Sequence, residues 1–375
     1  MLSRRNVILG SGATALAGGV RYGAGFGHRN AKSYNEAARS VWASRTPDSV
    51  DIDLAYLVHY ATRAANSHNT QPWLFGQAGS GVSIAPDFRR RTPVADADNH
   101  HIFASLGCAC ENLVLAAHAA GRGAAVRFLE TQGADNDARI EVDLARHGSA
   151  KGPVGILFET ILQRQCTRSI YDGTSVDNPT LRAMEAAARV DGCRVYMISQ
   201  RSRMEQALDL IVAANNQQVE DPLFAAELLS WLRFNAAHAM ERSDGLYSVC
   251  SGNPALPDWL GNLLFRVAFK PKSENERYVR QLRSSAGLAI FVSDKDDQAH
   301  WVQAGRSYQR FALQATALGI RHAFVNQPLE VAAFRPQVSS WLGLGDQRPD
   351  LIVRYGRAPP MPRSLRRPVS DVIVG

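Results

Sequence analysis

Hydrophobic residues in the first third of the chain switch between helical spacing and strand spacing. Apolar positions within 54–61 recur every three or four residues, and Asp51 is the expected N-cap of that helix. Pro72 ends any helical continuation, because proline lacks the backbone N–H that a helix interior needs. The elements predicted after it are strands at 73–75 and 82–84, one long helix at 100–120, and strands at 125–129 and 139–144.

The second half of the chain repeats this order. Its stretch AGRSYQRFALQATALGIRHAF resembles FASLGCACENLVLAAHAAGRGAAV in the first half. The predicted elements are helices near 155–163 and 180–188, a strand at 194–198, a long helix at 300–318 and a final strand at 350–355. These patterns predict an α+β fold of two fused, pseudo-symmetric halves, 45–150 and 151–375, each with long helices on a small mixed or antiparallel sheet.

An insertion at about 200–283 interrupts the second copy of the repeat. It is rich in helix formers and then in Gly, Pro and Ser around 251–254. A long insertion of this kind often forms a lid or a binding element. A plain pair of extra helices packed on the surface fits the pattern equally well, so both interpretations stay open.

Residues 1–30 are interpreted as a targeting segment and not as part of the fold. Arg4 and Arg5 follow Ser3 and precede a modestly apolar Gly/Ala-rich stretch, which resembles a twin-arginine export signal. The resemblance implies export to the periplasm by the twin-arginine translocase. The same stretch contains G-x-G-x-x-A, but a dinucleotide-binding unit needs a preceding strand and an acidic residue about twenty positions later. Here two arginines stand where the strand would begin, and the next acidic residue is Glu36.

Composition argues against two classes of protein, those that bind nucleic acids and those that are stably inserted in a membrane. The 375 residues carry 42 Lys and Arg against 35 Asp and Glu, which gives a net charge of +7. The arginines are scattered and not interleaved with aromatic residues, so nucleic-acid binding is not expected. No apolar run of about eighteen residues follows the N-terminal segment, so stable membrane insertion is not expected either.

The sequence predicts no metal site and no hydrolytic triad. Five Cys occur without a C-x-x-C motif, and the adjacent pair His100 and His101 lacks the spacing typical of metal ligands. No G-x-S-x-G motif occurs, which argues against a hydrolase of that type.

Three segments together resemble the FMN-dependent nitroreductase superfamily. The run AANSHNTQPW at 64–73 resembles its P-S-x-x-N-x-Q-P-W segment, RQCTR at 164–168 resembles its R-R-S-x-R opening, and RSLRRP at 363–368 resembles its closing basic segment. The combination is similar to the Acg-type branch, in which two nitroreductase-like halves are fused. The resemblance implies FMN at the interface of the halves. One complete set of motifs is present, so we expect one FMN per chain, in a monomer or a loose dimer.

The resemblance also implies which residues hold the phosphate. The FMN phosphate is a dianion, and arginine forks bind such groups through two bonds at once. Arg164, Arg168 and Arg366 or Arg367 are the expected phosphate ligands. Cys166 stands where the family usually has a hydroxyl, and a thiol is a weaker donor.

The polar edge of the flavin is expected to meet the first motif. The amides of Asn69 and Gln71 can donate and accept along that edge, with Ser67 and His68 close by. Trp73, at the start of a strand, is expected to pack in the core.

The chemistry implied by the family is two-electron transfer through flavin N5, from a small-molecule donor to a nitroaromatic, quinone or similar acceptor. The flavin carries the reaction, so no catalytic side chain is predicted. The first alternative is a catalytically silent protein that binds or sequesters FMN beneath a lid. The second is an interaction protein without flavin on a related fold.

Overall fold

The computed structural model describes residues 31–47, 53–130, 138–145, 154–345 and 347–375. The export-signal segment, 1–30, lies outside the described residues. Asp51 also lies outside them, and the N-cap of the following helix is Asp53, whose carboxylate accepts a hydrogen bond from the backbone N–H of Tyr56.

The first half forms one antiparallel sheet beside a long helix. Its four strands lie in the order β1-β2-β4-β3, and every neighbouring pair is antiparallel. In chain order the elements are α1 (31–41), α2 (Leu54–Ala61), β1 (Trp73–Ala78), β2 (Gly81–Pro86), α3 (His100–Ala119), β3 (Gly123–Leu129) and β4 (Arg139–Ala145).

The second half starts with two helices and a strand and then enters the insertion. The opening elements are α4 (Val154–Thr160), α5 (Asn178–Ala187) and β5 (Cys193–Ile198). The insertion contains α6 (Arg201–Glu220), α7 (Pro222–Trp231), β6 (Leu232–Arg233), α8 (Ala236–Arg242), β7 (Leu246–Tyr247), α9 (Asp258–Ala268) and α10 (Pro271–Arg283).

The chain then completes a second sheet with the topology of the first. Its elements are β8 (Gly287–Ser293), α11 (Gln298–Ala317), β9 (Arg321–Phe324), α12 (Gln327–Glu330), α13 (Arg335–Leu342) and β10 (Pro349–Gly356). The order β5-β8-β10-β9 is antiparallel throughout and matches the first sheet strand for strand. The predicted α+β fold of helices on antiparallel sheets is therefore confirmed. The domain boundaries 45–150 and 151–375 stay a prediction.

The two long helices, α3 and α11, pack at backbone distance. A Cβ atom built on Gly107 would lie 2.0 Å from the carbonyl oxygen of Val302, and one on Gly305 would lie 1.9 Å from that of Ala104. No side chain fits at either position, so these glycines permit the close approach of the two helices.

An ion-pair cluster joins the same two helices. Glu111 of α3 is fully buried, and its carboxylate lies 3.0 Å from Arg306 and 2.7 Å from Arg310 of α11. Removing one partner of such a buried pair is strongly destabilising, because the remaining charge stays out of water.

The C-terminal tail completes the first sheet. The backbone N–H of Phe75 in β1 donates to the carbonyl of Val372 at 2.8 Å, and the N–H of Val374 donates to the carbonyl of Phe75 at 2.8 Å. In the other sheet, the N–H of Thr167 donates to the carbonyl of His322 in β9 at 2.8 Å. The expected phosphate motifs thus belong to segments that are held by sheet edges.

Among the described residues, one helix, α3, is long and apolar enough to cross a membrane, with a mean hydropathy of 1.4. Within the fold 89% of that window is buried, so α3 is explained as the core helix.

Candidate functional site

A cavity of about 480 Å³ lies where the insertion meets both halves of the fold. Its volume is in the range of small-molecule binding sites. The insertion contributes much of the apolar wall, through Phe224, Leu228, Leu232, Phe234, Leu246, Leu256, Leu264, Phe265 and Phe269. The lid interpretation of 200–283 is therefore favoured over a pair of surface helices.

Ser67 and His68, which the sequence predicts beside the flavin edge, line this cavity. They form a 3₁₀ turn before β1, and Ser67 Oγ lies 3.0 Å from His68 Nδ1. Burial lowers the pKa of His68 to about 4, with smaller contributions from Arg168 and His101, so the imidazole is neutral near pH 7.

The backbone of this turn adopts an uncommon conformation. His68, Asn69 and Gln71 all have positive φ angles, between 47° and 55°. Such angles are costly for residues other than glycine and tend to cluster at functional sites.

Asn69 and Gln71, the expected contacts of the flavin edge, do not line the cavity. Asn69 Nδ2 donates to the carbonyls of Gly245 at 3.0 Å and Leu365 at 3.2 Å. Gln71 Nε2 donates to the carbonyl of Ser243 at 2.9 Å, and its Oε1 accepts from the backbone N–H of Arg367 at 2.8 Å. These amides tie the insertion and the tail to the first half and are occupied by backbone partners.

Arg90 reinforces the same connection. Arg90, the middle residue of the RRR run at 89–91, forms an ion pair with Asp244 and lies 5.5 Å from the ring centre of Trp231. Arg233 also forms an ion pair with Asp244, at 2.7 Å. The loop at 243–245 is thus anchored by two ion pairs and two amides.

Arg168 lines the cavity and is exposed. Its guanidinium donates to the hydroxyl of Ser251 at 3.3 Å, while its carbonyl accepts from Gln281 Nε2 at 2.5 Å. Of the four expected phosphate arginines, Arg168 is the one that the cavity reaches directly.

Arg164 and Cys166 lie behind the cavity wall. Arg164 is 2% exposed; its guanidinium donates to the carbonyl of Arg63 at 3.2 Å and approaches Cys166 Sγ at 3.8 Å. That sulfur lies 3.6 Å from the hydroxyl of Tyr308, a cavity-lining residue. Along these contacts two side chains, Cys166 and Tyr308, lie between Arg164 and the cavity.

Arg366 is also buried, but its guanidinium is occupied by neutral oxygens. It donates to the carbonyl of Thr62 at 2.9 Å, to Asn69 Oδ1 at 2.7 Å and to the carbonyl of Ala64 at 3.2 Å. Arg366 thus caps the C-terminal end of α2. Arg367 points elsewhere and donates to the carbonyl of Asp371 at 2.7 Å, so the structure does not place it at the cavity.

Arg63, which the motifs do not identify, completes a cluster with Arg164 and Arg366. In the described part of the chain, all three are buried and none forms an ion pair with a carboxylate. The Nε atoms of Arg63 and Arg164 have no hydrogen-bond partner among the described residues. Burial, followed by repulsion from Arg164 and Arg63, lowers the pKa of Arg366 to about 9.

Trp42, just after α1, covers this arginine cluster. Its ring centre lies 5.1 Å from the guanidinium carbon of Arg366 and 6.0 Å from that of Arg63, and its indole N–H donates to the carbonyl of Ser364 at 2.9 Å. The aromatic face offsets part of the positive charge. A carboxylate-free arginine cluster remains suited to an anion.

A polar corner of the cavity also escapes sequence motifs. His101 and Glu330 line it; burial lowers the pKa of His101 to about 4 and raises that of Glu330. The carboxylate accepts from Gln218 Nε2 at 2.7 Å, whereas His101 Nε2 has no partner among the described residues. This corner can bond a polar group of a bound molecule.

One further cluster combines Asp96 with His100 and His101, whose ligand atoms lie within 4.8 Å of one another. The spacing of the two histidines alone does not predict it, because Asp96 precedes α3. Asp96 accepts the backbone N–H groups of His101 at 2.9 Å and Ile102 at 3.1 Å, so it caps the helix. Burial and then repulsion from Arg348 lower the pKa of His100 to about 3, so its imidazole is neutral near pH 7, and its Nε2 lies 2.8 Å from Asp350 Oδ1.

No family model matches the chain. It is 26% identical over 324 residues to two proteins of Mycobacterium tuberculosis, MT3217 of strain CDC 1551 / Oshkosh and Rv3131 of strain H37Rv, covering 84% of this chain and 88% of each relative. The names of both assign them provisionally to the NAD(P)H nitroreductases. The chain is thus similar over most of its length to two proteins that are named as nitroreductases.

Solved structures overlap more loosely. An FMN-bound nitroreductase from Desulfitobacterium hafniense overlaps with a TM-score of 0.37 at 15% identity, over 59% of this chain and 98% of that one. The FMN-dependent nitroreductase NfnB from Mycobacterium smegmatis, in complex with NADPH, overlaps with a TM-score of 0.34 at 16% identity, over 55% and 89%.

Proposed function

We propose that this chain is an Acg-type, fused nitroreductase-like oxidoreductase that binds one FMN in the cavity between its halves. The observation that carries this proposal is the buried cluster of Arg63, Arg164 and Arg366, which has no carboxylate partner among the described residues. Each uncompensated buried charge costs several kcal/mol. A bound phosphate would offset that cost.

Arg168 and Arg164 are the proposed phosphate ligands. Arg168 reaches the cavity directly, and Arg164 lies one side chain behind the wall with an unpartnered Nε. Arg366 acts less directly, because its N–H groups already hold the end of α2; it contributes positive charge and the position of the tail.

The flavin ring would be held by the rest of the cavity. Phe and Leu side chains of the insertion supply apolar contact and exclude water, and Ser67 and His68 supply polar groups at the strained turn. Asn69 and Gln71 act as positioning residues, since they fix the loop at 243–245 and the tail around this turn.

When bound, FMN would supply two-electron transfer through N5 to a nitroaromatic, quinone or similar acceptor. The chain's own residues orient the ring and exclude water, and the polar corner of His101 and Glu330 faces the same cavity. The curated relatives, which are named for NAD(P)H, make a nicotinamide donor the first to test.

We also propose export by the twin-arginine route, on the basis of Arg4 and Arg5 in the first 30 residues. A periplasmic enzyme meets little NAD(P)H, so an exported form would need another donor.

Comparison of FMN with riboflavin tests the proposal. Riboflavin has the same ring without the phosphate, so we expect apoprotein to bind FMN at least 100-fold more tightly. Equal affinities would show that the arginine cluster does not bind the phosphate. Failure to bind either molecule would reject the cofactor assignment.

A second candidate is a silent FMN-binding or sequestering protein, favoured by the insertion side chains that cover the cavity. Steady-state oxidation of NADH and NADPH with several acceptors separates the two. Clear turnover would reject sequestration. A chain that binds FMN but does not pass electrons to any tested acceptor, even after chemical reduction of the bound FMN, would support sequestration.

A further inference from the structure

Helix α9 exposes an apolar face to solvent. Trp259, Leu263 and Val267 follow one another at four-residue intervals and are 70%, 52% and 64% exposed. Residues four apart lie on the same side of a helix, so they form one stripe. Large apolar groups that are contiguous and exposed mark interaction sites more often than isolated ones do.

The opposite side of α9 forms the cavity wall. Gly261, Phe265 and Phe269 line the cavity, and a Cβ on Gly261 would lie 2.2 Å from the ring of Phe234. Leu264 both lines the cavity and is 44% exposed. The cavity therefore opens beside the apolar stripe, and one short helix separates the stripe from the interior.

The charges next to the stripe are basic. Arg266, Lys270 and Lys272 are exposed at and just beyond the C-terminal end of α9. The acidic residue of the helix, Asp258, lies at its first turn, 3.2 Å from the imidazole of His238. A stripe with Trp and Leu, flanked by Lys and Arg, is the composition of helices that lie in the interface of an anionic membrane.

We propose that α9 docks on an anionic lipid surface and that the cavity behind it takes a lipophilic, ring-bearing ligand of the quinone class from the bilayer. The docking rests on α9 alone, whereas the quinone class rests on the proposed function. Surface docking differs from membrane insertion, since α9 has 11 residues and is too short to span a bilayer.

A lipid surface fits this face better than a protein groove does. The stripe lies at the cavity mouth, so a protein docked there would cover Leu264 and the opening. A bilayer would place the opening next to dissolved lipophilic molecules. The apolar stripe and the basic cluster supply the two contributions to binding of an interfacial helix, which are buried apolar area and attraction to anionic lipid.

Co-sedimentation with lipid vesicles tests the docking. The full chain is mixed with phosphatidylcholine vesicles with and without phosphatidylglycerol, and so are a Leu263→Gln/Val267→Gln variant and a matched control, Ile156→Gln/Leu318→Gln. The control residues are also exposed, at 45% and 36%, and lie outside α9. Circular dichroism and flavin content verify that each variant folds as the wild type does.

We expect wild type and control to bind the anionic vesicles equally, the α9 variant to bind at least tenfold more weakly, and added salt to weaken wild-type binding. Equal binding by the α9 variant and the control would overturn the proposal, as would no wild-type binding. A dimer in light scattering that the α9 variant converts to monomer would assign the face to a second copy and would also overturn it.

The ligand class is tested separately with FMN-loaded, photoreduced protein under anaerobic conditions. FMNH₂ and a quinone give FMN and quinol, so two electrons and two protons move to the quinone. We expect the α9 variant to react at least tenfold more slowly with a long-chain quinone in vesicles and at the wild-type rate with a soluble short-chain quinone. Equal rates with both would overturn the delivery role. Failure of FMN to bind would reject the proposed function and leave the vesicle result to decide the docking.

Discussion

Replacing Arg164 with methionine should affect cofactor binding and apoprotein stability in opposite directions. The guanidinium is 2% exposed; it donates to one carbonyl at 3.2 Å and approaches one thiol at 3.8 Å, while its Nε has no partner among the described residues. Methionine has similar length and carries no charge.

The magnitudes follow from these contacts. In the apoprotein, Arg164→Met loses one hydrogen bond worth about 1 kcal/mol. It also removes an uncompensated buried charge, and such replacements often stabilise by about 1–4 kcal/mol. We therefore expect the free energy of unfolding of the apoprotein to stay constant or to rise by about 1–3 kcal/mol. The variant also loses two charge-assisted bonds to phosphate of about 1.5 kcal/mol each, which raises the Kd for FMN about 150-fold.

Two assays separate these effects. Fluorescence titration of FMN into the apoprotein gives the Kd, and urea denaturation of the apoprotein gives the free energy of unfolding. Arg306→Met is the matched control, because Arg306 is partnered by the buried Glu111 at 3.0 Å and does not line the cavity. The control should lose about 3 kcal/mol of stability, the low end of the range for a broken buried pair, because Arg310 still pairs with Glu111 at 2.7 Å, and it should keep its FMN affinity. If Arg164→Met keeps its FMN affinity, or loses stability as the control does, the anion-site argument is wrong.

Three further predictions test the site and the fold. Arg168→Ala should weaken FMN binding by about 1.5–3 kcal/mol, the worth of a charge-assisted hydrogen bond, measured by the same titration, and an unchanged Kd would reject its phosphate role. Truncation after Pro362 should release FMN on gel filtration, since the tail pairs with Phe75 and holds Arg366; full flavin retention would exclude the tail from the site. Burial alone would raise the pKa of Asp98, but Arg348 and Arg335 hold it below the usual range. Its stabilisation should be complete above about pH 4 and fade as pH falls, so Asp98→Asn should flatten stability against pH in urea titrations, and parallel curves would contradict this.

Local patterns predicted the elements that have a clear periodicity. The strands β1 and β2 and the long helices α3 and α11 were predicted from the spacing of apolar positions in their own residues. Strand β8 was missed because all seven of its residues are buried, so its sequence is an apolar run without alternation.

The sequence motifs predict which segments lie at the candidate site, but they do not predict which residues those segments contact. Asn69 and Gln71 belong to a motif that lies at the cavity, yet their partners are 172 to 296 residues away in the insertion and the tail. No local spacing encodes such pairings. Sequence motifs do not identify Arg63 and Trp42 for the same reason, because packing of separate segments brings them beside Arg366.

The visible absorption spectrum of the purified chain, with mass identification of any released cofactor, tests the central claim most directly. The account predicts a flavin spectrum and close to one equivalent of FMN per chain, either as isolated or after incubation with FMN. A chain that shows no flavin even after incubation with excess FMN would contradict it.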